Sequence, residues 1–275
     1  MAEKTAIEWC DATFNPWTGC TKVSPGCDHC YAEGWSKRSG AVVWGPGAPR
    51  RRTTTANWRK PLHWNAAHEA FFAEHGRRQR VFCASLADVF DNEVDPAWRA
   101  DLFSLILATP NLDWLLLTKR IGNVVPMMGR DLVAGPDAHL PLIDLMPLPN
   151  LWLGATVVNQ AEADRDIPKL LQVPARVRFL SIEPMLGAID LAAAGGIWTN
   201  SDGTISNQLI EGIKEAGGPC IDWVIAGGES GPGARPMHPD WPRSLRDQCA
   251  AAGVPFFMKQ MGGVRDKRGA VEDLP

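Results

Sequence analysis

Val177-Arg178-Phe179-Leu180-Ser181-Ile182-Glu183-Pro184 is the stretch on which the fold reading turns: a short, mostly apolar, β-prone run that stops abruptly at Glu183. A strand whose two faces are both covered, as in a parallel sheet, reads as such a run without alternation. Working outward, similar runs recur at Ala6–Cys10, Val81–Ser85, Trp114–Thr118, Leu151–Val157, Trp223–Ala226 and Pro255–Lys259. Helix-like segments lie among them at Pro96–Ala108, Gln160–Leu171 and Pro239–Ala252, the last with Pro at its start and Gly253 just past its end. Strand, helix, strand repeated along a chain predicts parallel crossovers, hence an α/β protein built as a partial or full parallel (β/α) barrel. Residues 1–275 read as a single barrel domain, with insertions near 40–60, rich in Gly, Pro and Arg, and near 187–219, rich in Ala and Gly.

The polar ends of these runs carry the functional reading. Val81–Ser85 leads on to Asp88 and Asp91, Trp114–Thr118 to Lys119 and Arg120, and Leu151–Val157 contains Thr156 and leads to Asn159 and Gln160. Ile182 is followed by Glu183, and Ala226 by Gly227-Gly228-Glu229-Ser230. Carboxyl ends of parallel barrel strands share one rim, where such folds place their sites. Polar residues after a strand are also ordinary loop starts and helix caps, and that plainer reading applies to any one of them.

Composition narrows the classes. The chain has 28 Lys plus Arg against 31 Asp plus Glu, a net charge of -3 and 45% hydrophobic residues, which excludes global disorder and a uniformly basic coating protein. No apolar run approaches the roughly 20 residues of a membrane span, and the start, MAEKTAIEWCDA, lacks a secretory pattern, so the expected location is cytoplasmic. The 7 cysteines are an odd number, which argues against a disulfide scaffold. Cys83, inside an apolar run, reads as a core thiol, and Cys220 and Cys249 likewise.

Gly19-Cys20-Thr21-Lys22-Val23-Ser24-Pro25-Gly26-Cys27-Asp28-His29-Cys30-Tyr31-Ala32-Glu33 gathers the other thiols. A Ser-Pro-Gly turn can fold Cys20 back toward Cys27 and Cys30. Three soft ligands suit zinc or an iron–sulfur cluster. Zinc would want a fourth ligand, with His29 or Cys10 nearest in sequence, whereas a four-iron cluster held by three thiolates keeps one iron open for an exogenous ligand.

A three-cysteine loop after the first strand of a parallel barrel resembles the radical S-adenosylmethionine (radical SAM) superfamily, although the spacing here is six then two residues where that superfamily usually has three then two. The segments TGCTKVSPGCDHCYAE, FLSIEPMLG, VIAGGESGPGARP and PFFMKQMGG more closely resemble a phage and bacterial three-Cys-motif family. The resemblance implies a [4Fe-4S] cluster on Cys20, Cys27 and Cys30 and S-adenosyl-L-methionine on its open iron. It implies His29 and Tyr31 beside the cofactor, with His29 in the place of the superfamily's aromatic residue. Ser85 and Asp88 stand where that superfamily binds the methionyl amino group, and Thr156, Asn159 and Gln160 are candidates for the ribose hydroxyls. Gly227, Gly228 and Ser230 would line the pocket, and Glu183, Glu229 and Lys119 are the candidate catalytic groups. An electron donor of flavodoxin or ferredoxin type is then the expected partner. The implied reaction is reductive cleavage of the cofactor and hydrogen abstraction from a substrate.

Arg50-Arg51-Arg52-Thr53-Thr54-Thr55-Ala56-Asn57-Trp58-Arg59-Lys60 combines cations with a stacking residue. It reads as a solvated loop or, more sharply, as a nucleic-acid contact through Arg50, Arg51, Arg52, Trp58, Arg59 and Lys60. With the phage resemblance, it makes a nucleobase, such as a hypermodified base in phage DNA, the expected substrate. The alternative is a zinc-stabilised nucleic-acid-binding protein without redox chemistry.

Overall fold

The computed structural model describes residues 5, 7–40, 42–134, 140–197, 199 and 218–264. In chain order the elements are β1 (Ala12–Phe14), β2 (Trp17–Thr18), α1 (Tyr31–Ser39), β3 (Arg51–Arg52), α2 (Thr55–Ala66), α3 (His68–His75), β4 (Gln79–Cys83), α4 (Pro96–Leu107), β5 (Leu112–Thr118), α5 (Ile121–Arg130), β6 (Leu151–Thr156), α6 (Gln160–Gln172), β7 (Val177–Ile182), β8 (Trp223–Gly227), α7 (Asp240–Ala251) and β9 (Phe256–Gln260). Short 3-10 turns lie at Pro25–Cys27 and Leu142–Leu145. Seven of the strands make a parallel sheet in the order β1-β4-β5-β6-β7-β8-β9, and β2 and β3 form a separate antiparallel pair. The main-sheet order follows the chain without reversal, as in a partial parallel barrel and unlike a doubly wound sheet.

The chain divides into two compact units. The first comprises 1–23, 31–153 and 174–176, the second 24–30, 154–173 and 177–275. In the first, β1 pairs with β4 at Ala12↔Val81, and β4 with β5 at Phe82↔Leu115. Phe14, fully buried, meets Trp58 and Trp114 edge-on at centroid distances of 5.6 and 5.5 Å. Arg99 and Asp131 form a buried ion pair at 2.6 Å, and the same arginine donates to the Val89 carbonyl. In the second, β7 pairs with β8 at Leu180↔Val224 and β8 with β9 at Ile225↔Phe257. The Phe179 ring lies against Gly154: a Cβ there would come within 2.4 Å of it. Leu245 and Cys249 of α7 are fully buried.

One expectation is corrected. Ile7–Cys10 is a turn, and the first strand is Ala12–Phe14. Trp9 packs on Phe82 at 4.6 Å, so this apolar run covers a strand instead of pairing as one. The adjacent Asp11 accepts from Arg77 at 2.7 Å and from the Arg80 amide at 2.7 Å, which anchors the entry to β1. Within the expected insertion at 40–60, β3 pairs with β2 outside the main sheet and Thr54 caps α2, its hydroxyl accepting from the Asn57 amide. Trp58, Arg59 and Lys60 therefore lie on a helix. Of the expected insertion near 187–219, residues 198 and 200–217 lie outside the described residues.

No helix among the described residues is long and apolar enough to cross a membrane.

Candidate functional site

In the first unit the polar ends of β4 and β5 meet the start of the cysteine loop. Asp88 is buried and accepts from Thr118 Oγ1 at 2.8 Å, the Lys119 amide at 3.1 Å, Arg120 Nη1 at 3.2 Å and the Phe90 amide at 2.9 Å. With four donors already on its carboxylate, Asp88 organises the turn after β5. Ser85 also has local partners, its hydroxyl accepting from Asn15 Nδ2 at 2.9 Å and its carbonyl from the Tyr31 hydroxyl at 2.6 Å. Tyr31 is nonetheless 61% exposed. The Lys119 amide is committed to Asp88, while its ammonium has no partner among the described residues.

Cys20 faces Arg120, whose Nη1 lies 3.4 Å from the sulfur and whose Nη2 donates to the Thr21 carbonyl at 2.6 Å. Burial pushes the Cys20 thiol up to about 12, Asp88 adds to the rise, and Arg120 opposes it. Burial works against the Arg120 charge, but Asp88, Cys20 and Asp91 outweigh it and hold the guanidinium above its ordinary value.

The basic stretch divides. Arg50 is buried: its Nε donates to Asp91 at 2.7 Å, its Nη2 to Thr21 Oγ1 at 2.7 Å, and its Nη1 to the Ala48 carbonyl at 2.8 Å. It holds the cysteine loop to the turn after β4 and cannot reach a phosphate, which corrects its assignment to nucleic-acid binding. Arg52 pairs with Asp101 at 2.7 Å and lies over the Trp58 ring at 4.4 Å, so with Phe14 on the ring's edge Trp58 is largely taken up within the protein. Arg51 and Arg59 are exposed.

In the second unit the rest of the loop is fastened to the turn after β8. Ser24 caps the Pro25–Cys27 turn, its hydroxyl accepting from the Gly26 amide at 3.0 Å. His29 Nδ1 lies 2.9 Å from Glu229 Oε2. Arg235 binds the same carboxylate at 2.6 and 2.9 Å, reaches Asp28 at 3.0 Å, and donates to the Pro25 carbonyl at 2.8 Å. Burial would raise the Glu229 carboxyl, but the Arg235 and His29 contacts outweigh it and hold it down at about 2. Gly233, at φ +79°, passes within close contact of the His29 ring: a Cβ would lie 3.2 Å from Nε2, so a larger residue would crowd the imidazole. Cys27 and Cys30 are free and partly exposed, and neither sulfur has a hydrogen-bond partner among the described residues.

Glu183, after β7, pairs with Lys259 of β9 at 2.6 Å and accepts from Gln260 Nε2 at 3.3 Å. Gly227 ends β8 against it, and Gly228 has no room for a Cβ, which would fall 1.9 Å from the Met261 carbonyl. Ser230 bridges to Gly263. Thr156 is buried at the end of β6. Asn159 caps α6, accepting from the Glu162 amide at 3.0 Å, and Gln160 is bonded to the Asp190 amide at 2.6 Å and to Asp164 at 2.7 Å. Asn159 and Gln160 thus have local structural partners.

Asn15, Arg235 and Lys259 were not named as site residues from the sequence. Asn15 directly follows the true β1 and would have joined the strand-end set had that strand been placed correctly. Arg120 was visible as part of the polar end of β5. Arg235 and Lys259 lie in the motif segments, but nothing in spacing alone connects Arg235 to Asp28, more than two hundred positions away.

Among the described residues no group of three or more His, Cys, Asp or Glu side chains is gathered so as to hold a metal. The donor set of the loop nevertheless fits an iron–sulfur group by its chemistry: Cys20, Cys27 and Cys30 are all free and none is fully buried. A cationic N–H donor already lies on the Cys20 sulfur. A family model described as "Protein of unknown function (DUF5131)" matches residues 4–272. No curated protein matches the chain.

Proposed function

We propose that this chain, which belongs to the DUF5131 family, is an iron–sulfur enzyme that cleaves S-adenosyl-L-methionine in the manner of the radical SAM superfamily. Cys20, Cys27 and Cys30 would hold a [4Fe-4S] cluster. When bound, that group supplies the electron for reductive cleavage of the sulfonium. The observation that carries this reading is that each part of the three-cysteine loop is fastened to polar residues after parallel strands. Cys20 and Thr21 take Arg120 after β5, and Pro25, Asp28 and His29 take Arg235 and Glu229 after β8.

The protein's own residues then have separable tasks. Arg50, Arg120 and Arg235 hold the loop. Tyr31 and His29 offer rings beside it, and Lys119 offers an unpaired ammonium to an anionic group such as the cofactor carboxylate. Glu183, paired with Lys259 at 2.6 Å, is the polar group we assign to the substrate side of the site. The substrate we infer is a nucleobase, with the exposed Arg51 and Arg59 as the phosphate contacts.

The test is to incubate the anaerobically reconstituted protein with S-adenosyl-L-methionine and a one-electron reductant, and assay the products by mass spectrometry. 5'-Deoxyadenosine and methionine should appear with the parent and vanish with Cys27→Ala. A colourless protein with stoichiometric zinc and no cleavage would favour the zinc-stabilised binding protein instead.

A further inference from the structure

Arg120 is buried immediately after β5, at 8% exposure. Its guanidinium meets the Cys20 sulfur at 3.4 Å, Asp88 Oδ2 at 3.2 Å and the Thr21 carbonyl at 2.6 Å, with Asp91 Oδ1 at 3.7 Å. These partners are themselves fixed. Asp88 is held by Thr118 and by two backbone amides, and Asp91 by Arg50 at 2.7 Å. The cation therefore cannot leave the sulfur without giving up a buried carboxylate, which a low-dielectric surrounding makes costly. Cys27 and Cys30 have no equivalent donor among the described residues.

We infer that Arg120 sets the reduction potential of the cluster by donating a charged N–H hydrogen bond to its Cys20 ligand sulfur; the inference rests on the cluster proposed above. One-electron reduction adds one negative charge to the cluster and makes or breaks no bond to hydrogen, the electron coming from an external one-electron reductant. A fixed cation and an N–H donor at a ligand sulfur stabilise the more negative, reduced form, and burial limits screening of that effect. Asp88 acts in the opposite sense, because its carboxylate offsets the charge of the same guanidinium. Opposite signs from two adjacent residues are what a purely structural role of either would not produce.

The experiment uses the full chain reconstituted anaerobically with iron and sulfide. Iron and sulfide per chain are measured first, and the midpoint potential is then titrated with dithionite and followed by electron paramagnetic resonance. Arg120→Gln should keep the parent's iron content and show a roughly tenfold lower ratio of reduced to oxidised cluster at a fixed potential, equivalent to about 59 mV to the negative for a one-electron couple. Arg120→Lys should fall between Arg120→Gln and the parent, and Asp88→Asn should shift positive. Full iron with an unchanged midpoint in Arg120→Gln would overturn the inference while leaving the cluster assignment intact, and so would shifts of the same sign in Arg120→Gln and Asp88→Asn. If Arg120→Gln does not fold or load, unchanged midpoints in Arg120→Lys and Asp88→Asn overturn it. A parent that takes up no iron overturns the cluster proposal first and this inference with it.

Discussion

Arg50, Arg51 and Arg52 are consecutive and have different surroundings. Arg50 is buried among Asp91, Thr21 and backbone carbonyls, Arg51 is exposed, and Arg52 is spread over Trp58 and Asp101. Truncating one partner of a buried ion pair leaves the other uncompensated, so Arg50→Ala should destabilise the protein by about 3–5 kcal/mol in urea unfolding. Arg51→Ala should stay within about 0.5 kcal/mol. Equal effects would contradict the assignment of Arg50 to the interior. Glu229 supplies a pH test. Its folded carboxyl sits at about 2, below an ordinary 4.5, so its stabilisation is complete above the unfolded value and fades as pH falls through the folded one. Glu229→Gln should cost about 1–3 kcal/mol near neutrality, and the gap to the parent should narrow as pH falls from 4.5 toward 2. A gap that stays constant across that window would show that the charge of Glu229 is not what binds Arg235 and His29. The residue types of this site were legible in the sequence, but their partners were not. A run of three arginines reads as basic surface until Asp91, brought in by the turn after β4, is seen to take the first of them.

Val177–Ile182 was legible to the residue, and β5, β6, β8 and β9 to within two residues, because fully covered parallel strands leave continuous apolar runs. The first strand was not, because Ile7–Cys10 is as apolar as a strand but is used to cover Phe82. α2 was missed for a related reason: its start, Thr55-Ala56-Asn57-Trp58-Arg59-Lys60, has no clear apolar face, and the cap at Thr54 is what begins it. Polar residues after a strand read from sequence either as site residues or as helix caps, and Asn159 does serve α6 as its cap. Asn159→Ala should therefore lower stability by about 1 kcal/mol in thermal or urea unfolding while leaving S-adenosyl-L-methionine affinity, measured by anaerobic calorimetry, unchanged. A large loss of cofactor affinity with no loss of stability would restore Asn159 to the binding site.

At the scale of the whole molecule, the strand order of the parallel sheet follows the chain, which places the loops after β4, β5, β7 and β8 at carboxyl ends where parallel α/β folds carry chemistry. Three free thiols in one loop, with charged residues from those ends fastened to it, are the basis of the account. The measurement that tests it most directly is the iron and acid-labile sulfide content of the anaerobically reconstituted parent beside Cys20→Ala, Cys27→Ala, Cys30→Ala and the buried control Cys249→Ala. The account predicts about four iron and four sulfide per chain in the parent and in Cys249→Ala, with the cluster lost from each loop variant. A parent that binds no iron, or loop variants that keep the parent's iron content, would contradict it.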